Sequence, residues 1–135
     1  MAGATACELF VPEPESDSLN QALLGARGVI LSDLALTEMA SALGRRTREG
    51  VLTRRQPSHL HREALKLTAC CRHVELTPPV HRRAEQLLLS LPMPIRALDA
   101  LHLATAIEAG AATMVAFDRG LRAVAAAQGL LVAPI

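Results

Sequence analysis

The chain has 135 residues, half of them hydrophobic, and a formal net charge of +1. This length suits one domain with an adequate core, and this apolar content excludes a disordered segment. The near-neutral charge argues against strong non-specific nucleic-acid binding, and Phe10 and Phe117 as the only aromatics nearly exclude a base-stacking platform.

No apolar run approaches the roughly 18 residues of a membrane span. The opening "MAGATACELF" lacks the basic and apolar regions of a signal peptide. The expected location is therefore the cytoplasm. Cys7, Cys70 and Cys71 include an adjacent pair and no C-x-x-C. They are expected as buried reduced thiols rather than as a disulfide framework or a zinc knuckle.

Taken in chain order, "VPEPESDS" (11–18) reads as a turn whose acids, Glu13, Glu15 and Asp17, suit a helix N-terminus. "SLNQALLGA" is then a short helix ending near Gly25. "GVIL" (28–31) is a short apolar strand. Ser32 or Asp33 caps the next helix, which stops at Gly50. A helix is expected over 57–72 and a short strand, "HVEL", over 73–76. Thr77 with Pro78 and Pro79 starts another helix. Pro92 and Pro94 break the chain before "IRALDALHLATAIEAG" (95–110), an apolar helix closed by Gly110. The strand "ATMVAF" (112–117), the helix "RGLRAVAAAQG" and the strand "LLVAPI" complete the chain.

Helices alternating with short, continuously apolar strands argue for an α/β fold with a parallel sheet covered on both faces. Ligands of such sheets bind beyond the carboxyl ends of the strands. Three acids converge on that rim. Asp118 follows the strand "ATMVAF". Glu38 lies about one and a half turns into the helix after "GVIL", with no basic residue one turn away. Asp99 interrupts the apolar run "ALDALHLATA" too deeply to be a cap, with Arg96 three positions before it as an available partner.

Each acid has an ordinary explanation by itself: a cap for Asp118, a solvent-facing stripe for Glu38. Together they suit a hard divalent cation, because clustered carboxylates repel one another unless a cation neutralises them. A cation so held activates water for phosphoryl displacement. The sequence contains no P-loop, dinucleotide-binding or nucleophile-elbow motif. His59 and His61 are two apart and share no helix face. His102, one turn after Asp99, reads as a core histidine with Asp99 as its available partner. "RRTREGVLTRR" (45–55) sets Arg45, Arg46, Arg48, Arg54 and Arg55 against Glu49; it is either a solvated face or a phosphate-tracking patch.

"FVPEPES", "GVILSDLALTEMASALGRR", "IRALDALHLATAIEAG" and "MVAFDRGLRAVAAAQGL" together resemble a PIN-domain protein, and more narrowly a VapC-type toxin of a bacterial toxin–antitoxin pair. The resemblance runs from about Glu8 to the end. It implies a single PIN-like domain over 1–135, a three-layer α/β/α sandwich around a parallel sheet. It also implies a Mg²⁺- or Mn²⁺-dependent endoribonuclease, an RNA substrate, a VapB-type antitoxin and a homodimer. Carried over residue by residue, Glu38, Asp99 and Asp118 fill three of the family's four acidic positions and are expected to be catalytic and to hold the metal.

The fourth position differs. The family opens with a strand ending in Asp, and that alignment puts Ala2 where the Asp belongs; Glu8 falls later, on the helix. Ala97 and Ala116 stand where family members often carry Thr. Two expectations follow from the opening: a start placed several residues too late, or a decayed member that binds metal weakly. The alternative function is thus an inactive PIN-like protein that keeps antitoxin or RNA binding. A phosphatase on a related fold would need a nucleophilic Asp on the same missing strand.

Overall fold

In the computed structural model, residues 29–69, 71–116 and 118–133 are described. The expected helix "SLNQALLGA", the acids at 13, 15 and 17, Ala2, Glu8, both phenylalanines, Cys7 and Cys70 lie outside them. Strand β1 (Ile30–Ser32) leads directly into α1 (Asp33–Arg48). Ser32 settles which residue caps that helix. Its backbone is extended and its hydroxyl accepts a hydrogen bond from Leu34 N at 3.1 Å, satisfying one of the open donors of the first turn. Gly50, at φ +80, turns the chain after α1; a left-handed residue there favours glycine.

Helix α1 buries Ala35, Met39 and Leu43, a stripe spaced by single turns. Met39 and Leu43 pack with Ala64 of α2 (Gln56–Leu67). Helix α2 is shorter than the expected 57–72. The Thr68 hydroxyl bonds back to Ala64 O at 2.7 Å, and a turn from Thr68 to Cys71 redirects the chain into β2 (Arg72–Val74). Cys71 is a half-buried thiol against Leu31 and Ala35. Strands β1 and β2 are parallel, Leu31 opposite His73.

Helix α3 (Pro78–Ser90) follows Thr77 and buries Val80, Ala84 and Leu87. Those residues pack on α4 (Ala97–Glu108), the most extensive helix–helix contact among the described residues. Arg83 on α3 and Glu108 on α4 add an ion pair at 2.8 Å. Gly110, at φ +71, closes α4 as the sequence implies. Strand β3 (Thr113–Val115), α5 (Arg119–Ala127) and β4 (Leu131–Ala133) form a parallel βαβ unit, with Met114 opposite Val132.

The fold is the expected α/β arrangement with parallel strands. Strand β2 departs from the continuous burial expected of the strands, since Arg72 and His73 are exposed. The main core joins α3, α4, β3 and α5 around Leu103, Met114 and Val124. No helix among the described residues is long and apolar enough to cross a membrane.

The Ser32 cap gives a first test. Ser32→Ala should lower the unfolding free energy by about 1 kcal/mol, measured by urea denaturation. An unchanged midpoint would mean that the first turn of α1 is held by packing alone.

Candidate metal and phosphodiester site

Asp118 sits where β3 gives way to α5. Its backbone is extended, and its Oδ2 accepts from Leu121 N at 2.8 Å, so it is the N-cap of α5. Arg122 donates back to Ala116 O at 2.6 Å, tying α5 to the end of β3. Gly120 leaves the carboxylate room: a Cβ there would lie 3.2 Å from Asp118 Oδ2.

Asp99 is not deep in its helix. Pro92 and Pro94 precede an extended Arg96, so α4 begins only at Ala97 and Asp99 falls in its first turn. That corrects the reading of Asp99 as too far in for a terminal role. A negative charge there is favoured by the helix dipole. Its side chain is 13% exposed and pairs with Arg96 Nε at 3.4 Å, while Arg96 itself is 81% exposed. The partner available in the sequence is the one it uses.

Asp99 and Asp118 line one open cleft of about 350 Å³, with Pro94, Ile95, Arg96 and Gly120 as the other walls. Two helix starts thus deliver two carboxylates to one concavity. Glu38 is not part of that lining. Its Oε1 meets His102 Nε2, a contact between α1 and α4. His102 is fully buried, as a core histidine should be, but its partner is Glu38 and not Asp99. Sequence reasoning missed this pairing. The signal was there in Glu38, with no basic residue one turn away, and in His102, whose one local candidate, Asp99, has Arg96 beside it.

Among the described residues, no three His, Cys, Asp or Glu side chains are grouped closely enough to hold a metal ion. Two hard carboxylates in one open cleft do suit Mg²⁺ or Mn²⁺, because Mg²⁺ commonly takes one or two carboxylates and keeps several waters. The donors are all oxygen, which disfavours soft metals.

The PIN domain family profile matches residues 6–127. The chain belongs to the PIN domain family. Its fold is similar to that of Mycobacterium tuberculosis VapC20, described as a sarcin-ricin-loop-cleaving toxin, with a TM-score of 0.71 at 19% identity over 91% of this chain and 93% of that one. FitAcB from Neisseria gonorrhoeae matches with a TM-score of 0.68 at 18% identity, over 97% of this chain and 94% of that one. FitAB bound to an IR36 DNA fragment matches with a TM-score of 0.68 at 21% identity, over 97% and 92%. No curated protein sequence matches the chain. As a PIN domain, the chain carries its cleft where the carboxyl end of β3 meets the start of α5, the side on which parallel α/β sheets bind ligands.

Proposed function

We propose that this PIN domain is the toxin of a type II toxin–antitoxin pair, a Mg²⁺- or Mn²⁺-dependent endoribonuclease acting in the cytoplasm. The observation that carries the reading is the cleft shared by Asp99 and Asp118 with Arg96 at its lip. Asp99 and Asp118 would hold the cation; Glu38, the third acid that the family resemblance offers, does not line the cleft they share. When bound, the cation supplies an activated water and offsets the charge that develops on the phosphodiester.

The protein's own groups do the rest. Arg96 is the exposed cation of the cleft, and its guanidinium suits a phosphate oxygen. Its pairing with Asp99 restricts where that carboxylate can sit. The Asp118 cap fixes one oxygen on the α5 backbone and leaves the other for a ligand. A VapB-type antitoxin and a second copy of the chain are the proposed partners. VapC20 is described as a toxin that cleaves a ribosomal RNA loop, and FitAB as a complex bound to DNA; the first description supports the RNA reading.

The test is cleavage of a structured RNA by the purified chain with Mg²⁺ or Mn²⁺, against the same reaction with EDTA. Cleavage only with metal supports the proposal. A folded chain that binds an antitoxin but cuts no RNA with Mn²⁺ would favour the second reading, an inactive binding module. Two observations favour that reading: Ala2 where the family carries Asp, and the lack of a three-ligand group among the described residues.

The arginine run separates into two parts. Arg45 and Arg46 both face Glu49, at 4.0 and 3.6 Å. Arg54 and Arg55 are exposed beyond the end of α1, so they are the better candidates for RNA backbone contact. Reversing both to Glu should weaken RNA binding and flatten its salt dependence, lowering the log–log slope by about one per lost phosphate contact. An unchanged slope would leave the run as a solvated face.

A further inference from the structure

The charge of the chain is unevenly placed. Residues 45–62 hold six arginines and one acid, Glu49, a net charge of +5, so a total of +1 leaves −4 on the remainder. Ion pairing divides that segment. Glu49 faces Arg45 and Arg46, and Glu63, just beyond it, faces Lys66. Among the described residues no acid pairs with Arg54, Arg55 or Arg62, and all three are exposed. Like charges left together repel one another, so the fold gains nothing from this grouping by itself.

The three arginines stand at one end of α2. Arg54 and Arg55 precede it, and Arg62 lies in its second turn. No side chain caps that helix start and no acid lies in its first turn. The positive end of the helix dipole therefore adds to the arginines and is not offset. At the same end a recess of about 330 Å³ opens between α1 and α2. Its apolar lining is Ala40, Leu43 and Pro57. Its polar lining is Ser58, His61 and Arg62, each able to donate a hydrogen bond, and no carboxylate among the described residues lines it.

This recess shares no residue with the cleft of Asp99 and Asp118. Helix α1 sets the separation. Glu38 meets His102 on the helix that carries Asp99, whereas Arg48, at the other end of α1, lies ten residues further on, about 15 Å along the axis. A ligand that reaches both places is a polymer. Guanidinium groups suit phosphate oxygens. No aromatic ring lines the recess, so bases are not stacked there, and what is read is the backbone.

We propose that the recess between α1 and α2 seats a backbone phosphate of RNA, remote from the bond that is cut, with Ser58, His61 and Arg62 as donors and Arg54 and Arg55 attracting the flanking strand. This rests on the ribonuclease reading for the identity of the polymer and deepens it by adding a second point of attachment. It does not depend on the metal, because binding here uses only the protein's own cations.

The experiment is binding of two fluorescein-labelled RNA hairpins of unrelated sequence to the full chain, followed by anisotropy in EDTA over a range of NaCl concentrations. Arg62→Ala should weaken both hairpins alike and lower the log–log salt slope by about one. Ala40→Leu alters no charge but fills the recess from an exposed position on α1; it should weaken both hairpins too. Arg82→Ala removes the same charge from α3, outside the recess, and should change neither. In cleavage with Mn²⁺, Arg62→Ala should raise KM and leave kcat unchanged.

Unchanged affinity and slope in Arg62→Ala would overturn the seat. Equal losses in Arg62→Ala and Arg82→Ala, or an unaffected Ala40→Leu, would overturn it in favour of diffuse attraction. A loss confined to one hairpin would overturn backbone recognition. Loss of binding to a polyglutamate peptide in Arg62→Ala, with RNA binding intact, would give the surface to an acidic protein partner instead. Hairpins held through Arg62 in EDTA but never cut with Mn²⁺ would overturn the nuclease reading and leave the seat in place.

Discussion

Asp99→Asn is expected to abolish metal-supported RNA cleavage, with a loss of at least about 100-fold, the upper end of what removing a mere hydrogen-bond partner of a metal ligand costs. The substitution is nearly isosteric, so α4 should keep its packing. The lost charge removes a cation ligand and the favourable interaction of an acid with the first turn of the helix. Arg96 loses its ion-pair partner, but at 81% exposure it remains hydrated, and surface pairs contribute little to stability. Activity and stability should therefore separate: cleavage disappears while the melting temperature moves little. Cleavage by Asp99→Asn at the rate of the unaltered chain would remove Asp99 from the site and with it the assignment of the cleft.

Leu103→Ala should produce the largest change in stability, a loss of about 2–5 kcal/mol. Leu103 is fully buried on α4 among Ala100, Ala104 and Ala106. Half of the buried residues in that cluster are alanines, which cannot swing into the space, so only the larger members such as Val80, Leu87 and Met114 could relax toward it. Domains are stable by only about 5–15 kcal/mol, so the variant should unfold at a much lower urea concentration with an unchanged slope. A loss below about 1 kcal/mol would mean that the α3–α4 seam relaxes far more easily than its packing implies.

Much of the fold was legible because its signals are local. Ser32, Gly50, Gly110 and Asp118 mark helix ends through side-chain capping or a left-handed backbone, and each does so in the structure. The strand–helix alternation pointed to a parallel sheet, and both described strand pairs are parallel. The misreadings lay where the deciding contact is not local. Helix α2 stops before 72 because the Thr68 turn and pairing with β1 take the chain over, with no glycine or proline to announce it. The start of α4 was set two residues early, which turned a first-turn acid into an apparent anomaly. The bond between Glu38 and His102 spans 64 residues; periodicity places both residues on their helices but carries no information about which helices meet. For the candidate site, Asp99 and Asp118 share a cleft; the position of Asp118 after its strand is legible in the sequence, whereas that of Asp99 in a first helical turn is not, because it depends on where α4 starts. Glu38 lies apart from that lining because α1 belongs to the other packing group.

The main core has a property that bears on how the sequence can vary. Half of its buried residues are alanine. An alanine has no side-chain rotamers to lose on burial, so this seam forms at low entropic cost and brings the backbones of α3 and α4 close together. The same choice removes tolerance. A larger residue at 100 or 104, both fully buried, would overpack the seam. Leu89 and Leu98, at 89% and 47% exposure on the same pair of helices, carry no such restriction. The helix that holds Asp99 is thus free to diverge on its outer surface and nearly fixed in volume on its inner one. Descendants of this chain could change what they dock against far more readily than where they keep that acid.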